Sequence, residues 1–118
     1  MSDRAPSVFS RIIAGEIPAD VVYDSDRLIA FRDINPQAPV HVLVVPNTEQ
    51  YANVGELAAG DPELLAELVA TAQRLAADLA DGDYRLIFNT GEGAGQTVFH
   101  VHAHVLAGGL TEGSLAQL

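Results

Sequence analysis

The sequence predicts an α+β domain on a mainly antiparallel sheet of about five strands, with one long and one short helix. Apolar residues recur at helical spacing between residues 61 and 80, which predicts the long helix. Short apolar segments bounded by turn residues predict strands over residues 21–23, 28–32, 41–46, 84–89 and 98–106. The order of short helix, hairpin, strand, long helix and two final strands is typical of an α+β fold.

The composition indicates one small domain. A chain of 118 residues can bury roughly two-thirds of its unfolded surface, which is enough for one core. The absence of cysteine excludes disulfides and thiolate metal sites. The formal net charge of -10 argues against nucleic acid as a partner, and no apolar run approaches the roughly 20 residues of a membrane helix. We therefore expect a cytoplasmic protein with no nucleic-acid or membrane partner.

The first half of the chain contains the short helix and three strands. Ser7 is a good N-cap for a helix that ends at Gly15. The apolar stripe of this helix consists of Val8, Phe9, Ile12 and Ile13. Asp33 follows the second strand, and an aspartate before a proline-containing loop usually bonds its own backbone. The third strand starts at His41, where a lone histidine usually has a structural role.

The second half contains the long helix and the last two strands. A short helical turn is expected over residues 53–57. Asp61 is a good N-cap for the long helix, because Pro62 suits the first helical position and Glu63 favours the positive end of the helix dipole. The helix is expected to end before the Asp-Gly pair at residues 81–82, and its apolar stripe is expected to be core.

Three histidines at every second position mark the candidate site. On an extended strand, His100, His102 and His104 share one face at roughly 6.5 to 7 Å spacing, and the apolar residues between them share the other. A helix would turn His102 to the far side. Imidazoles this close together cannot all carry charge comfortably, so at least one stays neutral and available as a nucleophile, a base or a metal ligand.

A glycine-rich segment, NTGEGAGQT, runs directly into the histidines. Its glycines, at positions 91, 93 and 95, let the backbone approach a ligand closely and turn its N–H groups inward, which makes an anion site without basic residues. The polar side chains beside that site are Asn89, Gln96 and Thr97. Phosphate held beside a histidine indicates attack at phosphorus. From the residues alone, a site in which the histidines bind zinc stays open.

The run His-Val-His-Ala-His-Val-Leu resembles the His-φ-His-φ-His-φ-φ signature of the histidine triad (HIT) superfamily, where φ is apolar. Residues 7–18, 28–46 and 89–109 resemble the branch of histidine triad nucleotide-binding proteins that hydrolyse purine nucleoside phosphoramidates. The resemblance implies a HIT-like fold and a homodimer. We expect a disordered lead over residues 1–6, a HIT domain over residues 7–109 and a C-terminal tail over residues 110–118. This tail departs from close relatives, so preference for the leaving group stays open.

The resemblance also implies a nucleotide-binding pocket. Asp33 would bind the ribose hydroxyls, apolar side chains would contact the purine, and the end of the glycine loop would hold the phosphate. The residues expected to bind the nucleotide are Val8, Phe9, Ile12, Phe31, Asp33, Ile34, Asn89, Gly95, Gln96, Thr97, Val98, His102 and His104.

The activity that the resemblance implies is hydrolysis through a covalent nucleotidyl-histidine intermediate. His102 would attack phosphorus, an amine would leave, and water would release the nucleoside monophosphate. His100 and His104 would hold the tautomer of His102 and move protons, with His41 supporting their hydrogen bonds. Thr97 would donate to a phosphate oxygen or to the leaving group. No cofactor is expected.

Three alternative functions stay open. A dinucleoside polyphosphate hydrolase of the same superfamily would use the same nucleophile with a phosphate leaving group. A histidine-ligated metal protein would account for the histidines but not for the glycine loop. A nucleotide sensor would bind through the same residues, with catalysis incidental. Some relatives carry two cysteines of a structural zinc site where this chain has Ser7 and Ser10, so that zinc site is not expected here.

Overall fold

The computed structural model describes residues 7–112, which form one five-stranded sheet with helices on both faces. The elements are α1 (Val8–Ile13), β1 (Val21–Asp24), β2 (Leu28–Arg32), β3 (Val40–Pro46), α2 (Val54–Gly60), α3 (Pro62–Leu79), β4 (Arg85–Ile87) and β5 (Ala103–Ala107). The strand order is β1-β2-β3-β5-β4, and every neighbouring pair is antiparallel. The predicted α+β fold is therefore confirmed. The expected lead and residues 113–118 of the expected tail lie outside the described residues.

Three elements differ in extent from the prediction, one of them β4, which covers Arg85–Ile87 rather than residues 84–89. The expected turn at residues 53–57 is a full helix, α2, whose N-cap Asn53 accepts a hydrogen bond from the Glu56 backbone N–H at 2.9 Å. The last strand was predicted over residues 98–106, but β5 begins at Ala103. The residues before it bond outside the ladder: the Val101 N–H donates to the Tyr51 carbonyl at 2.9 Å.

Helix α3 covers one face of the sheet, as its apolar stripe predicts. It begins where Asp61 accepts a hydrogen bond from the Leu64 N–H, and Pro62 occupies its first turn. Its buried residues are Leu64, Leu68, Thr71, Ala72, Leu75 and Ala76. They pack with the inward-facing residues of three strands and of the segment before β5, which include Leu28, Ala30, Val42, Val44, Val101, Ala103 and Val105. This cluster is the main core.

The opposite face of the sheet carries α1 and the histidines. Side chains alternate along β3, so Val42 and Val44 face α3 while Leu43 and Val45 face the other way. A second apolar cluster there contains Phe9, Ile29, Phe31, Leu43 and Val45. His104 lies opposite Leu43 across the β3–β5 ladder and therefore belongs to the same face. The face that packs against α3 forms the main core, and the opposite face presents the histidines. Among residues 7–112, no helix combines the length and hydrophobicity that a membrane crossing requires.

Leu68→Ala should lower the free energy of unfolding by ~2 to 5 kcal/mol, because Leu68 is fully buried between α3 and the sheet. Urea denaturation followed by circular dichroism measures this loss. Val69→Ala is the matched control on the exposed side of the same helix, and it should cost less than about 1 kcal/mol. Equal losses in the two variants would contradict the packing described for α3.

Candidate active site

The histidines form one row on the face of the sheet opposite α3. The ring centre of His104 lies 5.2 Å from that of His102 and 5.3 Å from that of His41. The Phe9 ring from α1 lies 4.8 Å from His102 and 5.8 Å from His100. The predicted grouping of His100, His102 and His104 is therefore present, with His41 at one end of the row and α1 packed against the other.

His100 is held at both ring nitrogens. Its Nε2 lies 2.7 Å from the Pro46 carbonyl oxygen, which can only accept, so Nε2 carries the proton and donates. Its Nδ1 therefore has a lone pair, which accepts a hydrogen bond from the Ser7 hydroxyl at 2.7 Å. The ring is fully buried, and this desolvation lowers the pKa of His100. Neither nitrogen is available to a ligand.

His102 presents a free lone pair. Its Nδ1–H donates to the backbone carbonyl of His100 at 2.9 Å, which leaves Nε2 unprotonated in the neutral ring. Within residues 7–112, no protein group hydrogen-bonds to that Nε2. Burial lowers the pKa of His102 more than the Asp33 carboxylate raises it. The ring is thus a neutral, oriented imidazole, which is the form that can act as a nucleophile.

His104 and His41 are linked by a hydrogen bond whose direction is set by the backbone. The Gln37 N–H donates to His41 Nδ1 at 3.0 Å, so the proton of a neutral His41 is on Nε2. That N–H donates to His104 Nδ1 at 3.0 Å, which leaves the proton of His104 on its Nε2. Desolvation, followed by the neighbouring His102 and His41, lowers the pKa of His104 to about 4. His104 therefore offers an N–H where His102 offers a lone pair.

Asp33 combines its expected turn role with a position beside the histidines. Its Oδ1 accepts a hydrogen bond from the Asn35 N–H at 2.8 Å, as expected for an aspartate that begins a loop. Its Oδ2 lies 3.5 Å from His41 Nε2. The carboxylate acts to raise the pKa of His41, His102 and His104, although burial outweighs it in each case.

The glycine loop differs from the prediction in where its N–H groups point. Gly91 and Gly95 have φ values of 87° and 91°, which glycine adopts without strain. The Gly91 N–H donates to Gln96 Oε1 at 2.8 Å, and the Gly95 N–H donates to the Glu92 carbonyl at 3.0 Å. These two N–H groups are therefore used by the turn itself, and either could bind an anion only by giving up its hydrogen bond.

The Gln96 side chain holds this loop in place through hydrogen bonds. Its side chain is only 3% exposed, and its Nε2 donates to the Ala52 carbonyl at 2.6 Å and to the Val98 carbonyl at 3.0 Å. The groups left for a ligand include the backbone N–H groups of Gly93, Thr97 and Val98 and the side chain of Asn89, which have no hydrogen-bond partner within residues 7–112. They lie directly before the histidines in the chain.

The apolar residues expected around the base differ in exposure. Phe9 and Phe31 are buried and pack together, with ring centres 5.8 Å apart. Val8 and Ile34 are 41% and 98% exposed, so both have surface to offer a ligand. Ile12 is half-buried beside the Phe9 cluster.

A metal ion has one candidate set of ligands within residues 7–112. Asp33, His41 and His104 each have a ligand atom within 4.8 Å of the others. The facing nitrogens of His41 and His104 already share a hydrogen bond, so a metal held between them would have to replace it. The carboxylate and imidazole ligands are chemically suitable for zinc.

The site contains contacts that the sequence patterns did not identify. Ser7 was recognised as a helix cap, with no indication that its hydroxyl contacts a residue 93 positions away. The Pro46 carbonyl and the Gln37 N–H are backbone groups, and no side-chain pattern identifies them as the partners of His100 and His41.

The chain is similar to known proteins in both sequence and structure. Residues 14–109 match the family described as the HIT domain. The chain is 49% identical over 106 residues to an uncharacterised HIT-like protein of Synechocystis sp., across 86% of this chain and 90% of the relative. It is 42% identical over 104 residues to the purine nucleoside phosphoramidase of Escherichia coli strain K12, across 86% of this chain and 87% of the relative. A HIT family hydrolase from Clostridium thermocellum has a TM-score of 0.82 at 43% identity, covering 95% of this chain and 96% of that chain.

The free energy of unfolding should fall as the pH drops below about 6.5. The folded-state pKa of each of the four histidines lies below 6.5, so the unfolded chain binds more protons in this range and stability is lost with acid. His104, with a pKa of about 4, should contribute ~3 kcal/mol of this loss. Urea denaturation between pH 8 and pH 4 measures it. In His104→Gln the decline should be shallower, and parallel curves for the two proteins would contradict the burial of a neutral His104.

Proposed function

The chain belongs to the HIT domain family of hydrolases, and on that basis we propose that it hydrolyses purine nucleoside phosphoramidates through a covalent nucleotidyl-histidine intermediate. The relative from Escherichia coli that bears the name purine nucleoside phosphoramidase supports the substrate class. The observation that carries the proposal is the neutral His102 ring, whose Nδ1–H is bound to a carbonyl and whose Nε2 has a free lone pair.

His102 is the proposed nucleophile. Its Nε2 attacks the phosphorus, the new N–P bond replaces the P–N bond to the amine, and the amine leaves. Water then attacks phosphorus, the bond to His102 breaks, and the nucleoside monophosphate is released. The His100 carbonyl that accepts from Nδ1 stabilises the positive charge that develops on the ring as the N–P bond forms.

The proton for the departing amine is assigned to His104 rather than to His100. Both nitrogens of His100 are occupied by Pro46 and Ser7, whereas the Nε2–H of His104 has no acceptor within residues 7–112. Burial keeps the free site neutral, but a bound phosphate anion raises the pKa of the nearby histidines. A second proton on His104 occupies Nδ1, where it replaces the hydrogen bond from His41, and the proton on Nε2 is then transferred to the departing amine.

Three further parts of the site are assigned to nucleotide binding. The N–H groups of Thr97 and Val98, the Asn89 amide and the Thr97 hydroxyl hold the phosphoryl oxygens. The Asp33 carboxylate accepts from the ribose hydroxyls, because its Oδ2 makes no hydrogen bond shorter than its 3.5 Å contact with His41. The surface around Val8, Phe9, Ile12, Phe31 and Ile34 receives the purine.

A homodimer is proposed from the family resemblance. β1 and β4 are the two edges of the sheet, and an edge strand presents backbone N–H and C=O groups that a second copy can pair with. We expect sedimentation equilibrium to give twice the mass of the chain at micromolar concentration. A mass equal to one chain across the whole concentration range would contradict the dimer.

His102→Ala should abolish hydrolysis of an adenosine 5′-phosphoramidate that carries a fluorescent amine, with a loss of at least ~10³-fold in kcat. The wild-type protein should turn over with excess chelator present. Wild-type protein quenched with denaturant at alkaline pH, where an N–P bond to histidine is stable, should contain a species heavier by one adenylyl group, and this species should be missing from His102→Ala. Wild-type turnover in His102→Ala would end the proposal.

The same assay separates the alternatives. Val69→Ala, on the exposed side of α3, is the control and should retain full activity. Faster turnover of a diadenosine polyphosphate than of the phosphoramidate would identify a polyphosphate hydrolase. Activity that vanishes on chelation and returns with zinc would identify the Asp33, His41 and His104 cluster as a metal site. Binding of AMP without turnover of either substrate would indicate a sensor.

A further inference from the structure

Ser7 joins three separate parts of the protein. Its hydroxyl accepts from the Ser10 N–H at 3.0 Å, which caps α1. The same hydroxyl donates to His100 Nδ1 at 2.7 Å, and the Ser10 hydroxyl lies 3.3 Å away. Its backbone N–H donates to Glu49 Oε1 at 3.1 Å, in the loop after β3. One residue thus connects the start of α1, the end of β3 and the histidine row.

The contact with His100 goes beyond what helix capping requires. The caps of α2 and α3, Asn53 and Asp61, accept from N–H groups of their own helices through side chains that do not contact a histidine. An ionised aspartate would cap α1 as well as serine does, but it has no proton to give to His100 Nδ1. A hydroxyl is needed where one group must both accept from the helix and donate to the ring.

The position of His102 depends on His100. Residues 98–102 lie outside the β-ladder, so the strand does not fix their backbone. The segment is held instead by the bonds from His100 to Pro46, from Ser7 to His100 and from Val101 to Tyr51. The carbonyl that orients His102 is the backbone carbonyl of His100 itself. A loss of the ring contacts that lets the His100 backbone shift would therefore also shift the carbonyl that orients His102.

We propose that Ser7 is a positioning residue for catalysis, whose hydroxyl keeps His100 in its neutral Nε2–H form and thereby fixes His102 for attack on phosphorus. This inference rests on the proposed function. Without the hydroxyl, a buried nitrogen lone pair loses its partner, and the ring can recover one only by moving or by changing its protonation. Because Ser7 is also the cap of α1, docking of α1 and alignment of the nucleophile are coupled.

Ser7→Ala tests the proposal, with Asn53→Ala as the matched control. Both substitutions remove a helix N-cap, but only Ser7 contacts a histidine. We expect Ser7→Ala to lower kcat roughly tenfold or more, the range typical of losing a group that orients an active-site histidine, with KM changed less. Ser7→Thr, which keeps the hydroxyl, should retain the wild-type kcat, as should Asn53→Ala.

The second measurement does not depend on turnover. In long-range ¹H–¹⁵N spectra at pH 7, His100 of the wild type should be the neutral Nε2–H tautomer, and Ser7→Ala should change its nitrogen shifts while Asn53→Ala leaves them unchanged.

Wild-type kcat in Ser7→Ala, or a charged or Nδ1–H His100 in the wild type, would overturn the proposal. If Ser7→Ala does not fold, the wild-type tautomer and the activity of Ser7→Thr decide the question. If the wild type hydrolyses no phosphoramidate, the proposed function fails, while the tautomer result still tests the Ser7 contact.

Discussion

The arrangement of protons in the histidine row depends on three backbone groups, two of them near the ends of β3 and the third the carbonyl of His100. The Pro46 carbonyl at the end of the strand can only accept, and the Gln37 N–H before its start can only donate. The first fixes the proton of His100 on Nε2, and the second fixes that of His41 on Nε2. The proton position of His41 sets that of His104, which presents an N–H, while the His100 backbone carbonyl takes the Nδ1–H of His102 and leaves that ring with a lone pair. The proposed nucleophile and a hydrogen-bond donor thus lie side by side without any charged residue between them.

Burial makes this arrangement usable near neutral pH. Desolvation is the largest influence on all four histidines and lowers the pKa of each, so the rings are neutral where free imidazoles would be partly charged. The neutral state also avoids repulsion among rings whose centres are about 5 Å apart. The sheet makes the burial possible, because α3 covers one face and stabilises the domain while α1 covers part of the other. In such a neutral site, an anionic ligand raises the pKa of the histidines when it binds.

Much of the fold could be predicted from the sequence because it follows from periodicity. The helical stripe of α3, the five strands and the shared face of His100, His102 and His104 all come from repeats of 3.6 or 2 residues. The start of β5 could not, because the residues before Ala103 bond outside the ladder, with the Val101 N–H donating to the Tyr51 carbonyl and the His100 ring to the Pro46 carbonyl. The glycine loop illustrates a second limit: glycine content indicates backbone freedom, but the direction of each N–H depends on Gln96 inside the turn. The Ser7 contact spans 93 positions and leaves no local pattern.

Because β5 begins only at Ala103, the histidines of the triad differ in how their backbone is held in place. His104 lies within the ladder, where its backbone is fixed by β3 and β4, whereas His100 and His102 lie before Ala103 on a segment held by side-chain contacts and by the bond from the Val101 N–H to the Tyr51 carbonyl. Substitutions near the start of α1 can therefore change the alignment of the reacting group while the sheet stays intact. Helix α1 thus offers a route by which the geometry of His102 can change while the pairing of the strands does not, which a triad carried wholly on a paired strand would not have.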